Sequence, residues 1–269
     1  MRGKHIILTL GRSGSNTLVD MFNQNPAILN FGEVLGEWNR IRRVQRALRL
    51  FQDGDQAYLD AVLCSKMLQR TANMVRTVGK IRAGKWSEAK RMHKIRTVGF
   101  KEFSLNFRRY GLPNYVANAA DVKVIGLTRS NVLNRMVSTA FLEATGIVAS
   151  TSAQAKATHQ KLHLDPDSVI TKLEVIEQEN QELTDILDAL APSRVFRLDY
   201  EDLYADEMHT VTKLRSVYAF LGAPDVIPRV RMRKIVHRNP LSALDNGHEV
   251  AEVIATSRFA AYLPDGDKS

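Results

Sequence analysis

Gly11-Arg12-Ser13-Gly14-Ser15-Asn16-Thr17 follows a run of β-branched and aliphatic residues from Lys4 to Leu10. A buried strand that breaks at glycine and re-enters a helix is an anion-binding device, because backbone N–H groups and the helix dipole converge on one point. Arg12 adds a guanidinium, and Ser13, Ser15 and Thr17 add hydroxyls, so a phosphate would be well held. Three better-known signatures do not fit. The ATP/GTP loop needs four residues between its glycines and then Lys-Ser/Thr; here two residues separate Gly11 from Gly14 and no lysine follows. The dinucleotide fingerprint requires Gly-x-Gly, which is absent. A hydrolase elbow requires Gly-x-Ser-x-Gly, whereas glycine directly follows Ser13. The plain alternative is a tight βα turn that holds no ligand.

The stretch from Leu10 to Leu18 resembles the 5′-phosphosulfate loop of sulfotransferases that use 3′-phosphoadenosine 5′-phosphosulfate (PAPS). It is most similar to the bacterial carbohydrate and protein-tyrosine types, in which Arg-Ser/Thr-Gly-Ser/Thr follows the first strand. Three later segments resemble the same family in the same order. Val122 to Arg129, followed by Val137-Ser138, is similar to its 3′-phosphate site, an arginine ending a strand and a serine on the next helix. Leu198-Asp199-Tyr200-Glu201-Asp202-Leu203, followed by Phe220-Leu221-Gly222, resembles its late strand and Tyr-Glu-Asp-Leu signature. Asn246-Gly247-His248-Glu249-Val250, with Thr256, resembles its C-terminal Asn-x-x-Glu segment. The arginine and serine are eight apart in most members and nine apart here, so either the turn holds an extra residue or Ser130 takes part.

The resemblance implies a fold, a reaction and a set of roles. The fold is α/β, three-layered around a central parallel sheet, of the P-loop nucleoside-triphosphatase type, in a single domain spanning 1–269. The reaction moves a sulfuryl group from PAPS to a hydroxyl by in-line displacement and releases 3′-phosphoadenosine 5′-phosphate (PAP). Catalysis of that kind rests on positioning and charge stabilisation. Gly11, Arg12, Ser13, Gly14, Ser15, Asn16 and Thr17 would surround the 5′-phosphate, with Arg12 donating toward the bridging oxygen. Arg129 and Ser138 would hold the 3′-phosphate. Glu33, in Asn30-Phe31-Gly32-Glu33, occupies the place of the family's general base; the plain alternative is a solvated acid pairing with a basic segment. Glu37 is a second candidate base. Lys101 and Glu102 follow a strand and belong either to the same site or to a surface ion pair. No metal is required.

The elements that must position these residues alternate between strand and helix, as in a parallel sheet covered on both faces. Strands are predicted at Lys4 to Leu10, Ile28 to Phe31, Val98 to Phe100, Val122 to Leu127 and Val195 to Leu198. Helices are predicted at Thr17 to Asn23, with Ser15 or Asn16 as N-cap, at Val132 to Ala144, at Asp167 to Leu190 and at His209 to Leu221, the last closed by Gly222 and Pro224. Ala149 to Pro166 reads as an irregular loop. Val169, Leu173, Ile176, Asn180, Leu183, Leu187 and Leu190 form a heptad run. It suits either a second subunit or, more commonly over so short a run, the helix's own sheet. His159 and His163 have helical spacing, but a third metal ligand is not evident.

The 269 residues carry a formal charge of +9, with 44% apolar and 25% charged residues, which is ordinary globular composition. From Arg40 to Lys101 sixteen Lys and Arg face only Asp53, Asp55, Asp60 and Glu88, so one proline-free, mostly helical segment, about 40–96, holds the whole excess. It reads as an insertion into the domain and calls for an anionic partner. Its aromatics are sparse (Phe51, Tyr58, Trp86), which argues against base stacking and favours an acidic or lipid-linked saccharide acceptor over nucleic acid. One cysteine, Cys64, excludes an internal disulfide framework and suits a reducing cytoplasm. That setting argues against protein-tyrosine sulfation. No apolar run is long enough to span a membrane. Two rival classes stay open: a kinase or nucleotide hydrolase with a degenerate P-loop, and a non-catalytic module binding anions or nucleic acid.

Overall fold

The structure is a computed structural model that describes residues 2–47, 54–82, 84, 89–146, 161–231 and 239–264. His159, most of the expected loop from Ala149 to Pro166, and Arg49, Phe51, Asp53, Lys85, Trp86 and Glu88 lie outside the described residues. Five parallel strands form one sheet: β1 (Gly3–Thr9), β2 (Ile28–Asn30), β3 (Thr97–Phe103), β4 (Val122–Thr128) and β5 (Val195–Asp199), in the order β2-β3-β1-β4-β5. Ile6 of β1 stands opposite Phe100 of β3 and Val124 of β4. With β3 on one side of β1 and β4 on the other, the carboxyl end of β1 is a switch point, where open α/β sheets bind ligands.

Both faces of the sheet are covered, which is why consecutive aliphatic residues are buried in β1 (Ile6-Ile7-Leu8) and β4 (Val124-Ile125). Ile6, Leu8 and Leu10 enter a core with α3 (Asp55–Cys64), α5 (Ser104–Arg109), α6 (Tyr115–Asn118) and the second half of α8 (Pro166–Asp188). Ile7 points the other way, toward α1 (Ser15–Gln24) and α10 (Glu207–Leu221). A further cluster joins α7 (Val132–Thr145) and the first half of α8 to α11 (Gly247–Ala255). The fold is thus the expected α/β architecture, a parallel sheet between helical layers. The heptad run on α8 is spent inside the chain: Val169, Leu173, Ile176, Leu183, Leu187 and Leu190 are all buried in these clusters.

Three local features differ from expectation. β3 runs on to Phe103, because Lys101 and Glu102 are buried within the strand and each has partners. The short helices α5 and α6 were not predicted. The basic segment connects β2 to β3 through α2 (Arg40–Ala47), α3 and α4 (Lys66–Arg82), and α3 lies against the sheet with Tyr58, Leu59, Val62 and Leu63 buried. Among the described residues, no helix is long and apolar enough to cross a membrane.

His5 on β1 is fully buried, its ring nitrogens 2.9 Å from Thr97 Oγ1 and 3.1 Å from Asn30 Nδ2. Burial, and next to it the charge of Lys90, push its pKa down from 6.5 to about 3. Between those values the unfolded chain takes up a proton that the folded chain refuses, so stability falls as pH falls through that window. The slope should approach ~1.4 kcal/mol per pH unit. Urea titrations at neutral and mildly acidic pH would show it, and His5→Gln should flatten the dependence. An equal slope in both proteins would assign the effect elsewhere.

Candidate active site

Loop 11–17 leaves the carboxyl end of β1 with two residues in left-handed backbone, Arg12 (φ 61°) and Gly14 (φ 71°). Among the described residues Arg12 is the only non-glycine with positive φ, a conformation that costs an arginine about 1–2 kcal/mol. Surrounding hydrogen bonds hold it there. Arg129 Nη1 donates to the Arg12 carbonyl (2.9 Å) and Arg135 Nε to the Gly11 carbonyl (3.0 Å). Ser13 Oγ donates to the Leu10 carbonyl (2.8 Å) and lies 2.6 Å from Thr9 Oγ1, which donates to the Leu127 carbonyl (2.8 Å). The Ser13 hydroxyl therefore serves the loop itself, and what Ser13 can offer a ligand is its backbone N–H.

The N-cap of α1 is Gly14 rather than Ser15 or Asn16. The Gly14 carbonyl accepts from the N–H groups of Thr17 (3.0 Å) and Leu18 (3.2 Å). A side chain cannot stand there: a Cβ on Gly14 would lie 2.7 Å from Tyr200 Cε2 and 2.8 Å from Tyr204 Cε2. Both tyrosines come from the segment Leu198 to Leu203 and just beyond it, on or next to the short helix α9 (Tyr200–Leu203). Tyr204 also donates its hydroxyl to the Gly14 carbonyl (3.0 Å). Ser15 and Asn16 open the helix, where N–H groups have no intrahelical acceptor, and both line the cavity.

Arg12, Arg129 and Ser138 are brought together. Arg12 Nε donates to Ser138 Oγ (2.9 Å). The Arg129 guanidinium stacks 4.2 Å from the Tyr200 ring centroid and donates to Glu201 Oε1 (3.2 Å). Burial, and then the Arg129 charge, push the Arg12 pKa below its ordinary value. Burial pushes Glu201 and Tyr200 up, against the pull of Arg129. Of the two candidate serines, Ser138 lines the cavity, while Ser130 is exposed and donates its hydroxyl to Glu201 Oε2 (3.3 Å). In the turn before α7, Asn131 caps the helix by accepting from the Asn134 N–H (2.9 Å).

Glu33 follows β2, lines the same cavity and forms an ion pair with Lys101 of β3. Lys101 is buried, its Nζ 3.9 Å from the Phe103 ring centroid. Burial lowers its pKa, and Glu33 opposes the shift. Glu102 points away from Lys101, as successive strand residues do. Its Oε2 accepts from the N–H groups of Val34 (3.1 Å) and Leu35 (2.9 Å), and its Oε1 from Asn106 Nδ2 (2.7 Å). So Lys101 holds the Glu33 carboxylate and Glu102 holds the loop that carries it. Glu37 is exposed, pairs with Arg46 (2.8 Å) and does not line the cavity.

The C-terminal segment braces the fold. Asn246 donates to the Leu164 carbonyl (2.7 Å) and accepts from the Leu164 N–H (3.2 Å); Asn246, Glu249 and Thr256 all stand outside the cavity lining. His163 pairs with Asp245 at 2.9 Å on the surface.

Arg135, not singled out in the sequence, and Asn180, the polar position of the heptad run, complete the site. Arg135 is paired with Glu179 and also donates to Asn180 Oδ1 (3.3 Å), while Asn180 Nδ2 donates to the Arg129 carbonyl (2.9 Å). The signals were there: a charged residue beside the apolar face of α7, and one polar position in a heptad run. Asn180→Leu should pack well at that seam and yet weaken a bisphosphate ligand about tenfold, the loss of one hydrogen bond that sets Arg129. Unchanged affinity with raised stability would reduce Asn180 to a packing residue.

The cavity has a volume of about 1140 Å³. The glycine loop and the arginines form one wall, Glu33 and Lys101 another, and Leu105, Met136, Ala140, Leu142, Val175 and Ile176 an apolar far side. A parallel sheet flanked by helices, with a glycine turn at its switch point and two arginines beside it, defines an α/β protein with a P-loop-like turn. No family model matches the sequence, and no curated protein does. Among solved structures the chain is similar to a sulfotransferase from Alicyclobacillus acidocaldarius, at 16% identity and a TM-score of 0.46, covering 97% of this chain and 95% of that one. It is also similar to the sulfotransferase domain from the curacin biosynthetic pathway, at 18% identity and a TM-score of 0.43, covering 98% and 83%. The sulfotransferase domain from the Synechococcus PCC 7002 olefin synthase gives 16% identity and a TM-score of 0.42, covering 82% and 74%.

Proposed function

We propose that this chain is a PAPS-dependent sulfotransferase acting on a hydroxyl, of a saccharide or glycolipid, in a cytoplasmic setting. The observation that carries the reading is the crowding of Arg12 and Arg129 around the glycine loop, with Ser138 bonded to one of them. Two like charges brought together and partly desolvated favour an anion between or beside them. A donor with separate 5′- and 3′-phosphates uses both arginines, whereas ATP would want the lysine that this loop lacks.

In this reading the loop residues Gly11 to Thr17 hold the 5′-phosphosulfate through backbone N–H groups and the Arg12 guanidinium. Arg129 and Ser138 hold the 3′-phosphate. Glu33 takes the proton from the acceptor hydroxyl as its oxygen bonds to sulfur, and the sulfur–oxygen bond to the 5′-phosphate breaks. Arg12 and the start of α1 meet the charge that builds on the departing phosphate. Lys101 keeps Glu33 in place. The cavity, larger than most small-ligand pockets, has room for donor and acceptor together, and its apolar far side suits an acceptor with an apolar portion.

A thermal-shift comparison tests the donor class. PAP at a hundredfold excess over its dissociation constant should stabilise the protein by ~2.7 kcal/mol, a rise of roughly 5–10 °C in a chain of this size. ADP, which lacks the 3′-phosphate, should give much less. Equal shifts with ADP, or a larger shift with ATP and Mg²⁺, would favour the kinase or hydrolase reading.

A further inference from the structure

Helix α4 is built inside out. Its buried residues are polar: Gln69, which bonds the carbonyls of Val62 (3.2 Å) and Leu63 (2.9 Å), and Asn73, which donates to the Lys90 carbonyl (2.9 Å). Leu68 leans on the core, but four other large apolar residues face outward: Met67 is 79% exposed, Met74 62%, Val75 50% and Val78 43%. On a wheel of ~3.6 residues per turn Met67, Met74 and Val78 fall within about 40° of one another. They form a continuous stripe along the outer face. An ordinary surface helix turns its apolar stripe to the core, so this one is shaped to be covered by something else.

The flanks of the stripe say what covers it. Lys66 and Arg70 border it on one side and Arg82 on the other, and all three are exposed. No Asp or Glu occurs between Lys66 and Arg82. A second copy of the chain would bring these cations against themselves in a two-fold pairing. Nucleic acid would meet the cations but offers no apolar surface to methionine and valine. An anionic bilayer offers both, phosphates at the level of the cations and acyl chains beneath. We infer that α4 is a membrane-surface helix, lying on an anionic bilayer with Met67, Met74 and Val78 at the acyl boundary and Lys66, Arg70 and Arg82 among the lipid phosphates. This docking does not depend on the chemistry of the cavity.

Co-sedimentation of the full chain with vesicles tests it. The protein should pellet with phosphatidylcholine vesicles containing phosphatidylglycerol and stay in solution with phosphatidylcholine alone. The triple variant Met67→Ser, Met74→Ser, Val78→Ser keeps every cation and alters only exposed side chains; its partition into the mixed vesicles should fall about tenfold or more. Met74→Glu should do the same by placing a carboxylate in the stripe, and both variants should melt like the unaltered protein. No pelleting of the unaltered protein at low salt would overturn the inference, as would variants that bind as it does, which would leave charge alone. A concentration-dependent dimer abolished by Met74→Glu, without vesicle binding, would overturn it in favour of a second copy.

Discussion

Glu33→Gln should lower turnover of PAPS with a hydroxyl acceptor by about 10²–10⁴-fold, the usual contribution of a positioned general base, while PAP binding is kept. The expectation rests on geometry. Glu33 lines the cavity with the Arg12 loop, and a buried Lys101 holds its carboxylate. The same ion pair creates a second effect that must be separated from the first. Removing the Glu33 charge leaves Lys101 buried without its counter-charge, and breaking such a pair destabilises strongly. The double variant Glu33→Gln, Lys101→Met removes both charges and should recover most of the stability. Turnover should stay low in the double variant. If it returned with stability, Glu33 would be a structural partner of Lys101 and the proton would go elsewhere.

Gly14→Ala should be strongly destabilising. It carries two costs: a left-handed backbone at φ 71°, and a Cβ within 3 Å of the rings of both Tyr200 and Tyr204. Strain and overpacking together should cost about 2–5 kcal/mol. Gly32 provides the control, since its φ is 70° and an added Cβ would meet nothing within 4 Å. Gly32→Ala should cost only the backbone share, about 1–2 kcal/mol. Urea midpoints give both numbers. Equal losses would mean that Tyr200 and Tyr204 yield freely and do not set the loop. Because Tyr204 also bonds the Gly14 carbonyl, the displaced rings should take the start of α1 with them, and PAP affinity should fall with stability.

The fold was legible where burial speaks through pattern. β1 and β4 bury aliphatic residues on both faces because both faces are covered, and the strand–glycine–helix turn announces itself in ten residues. β3 was half legible: Val98 to Phe100 reads as strand, but Lys101 and Glu102 look like its end. They remain in the sheet because their charges meet Glu33 and the N–H groups of Val34 and Leu35, partners more than sixty residues away. The cap of α1 failed for a related reason. Local preference points to Ser15 or Asn16, but two tyrosines from the far end of the chain leave room only for glycine at position 14. Arg12 and Arg129 could be singled out by their places after strands. Asn180 stood out as the polar position of its heptad run, but its role and that of Arg135 could not be read, since they lie in the loop carbonyls and in each other across α7 and α8.

The central claim is that one cavity holds a nucleotide through two phosphates, one at loop 11–17 and one at Arg129. Calorimetric titration with PAP, beside ATP with Mg²⁺, tests it most directly when the Arg12→Ala and Arg129→Ala variants are run in parallel. PAP should bind at micromolar concentration, and about 10–100-fold more weakly in each variant, as expected for the loss of charged hydrogen bonds. Tighter binding of ATP, or PAP affinity indifferent to either arginine, would contradict it.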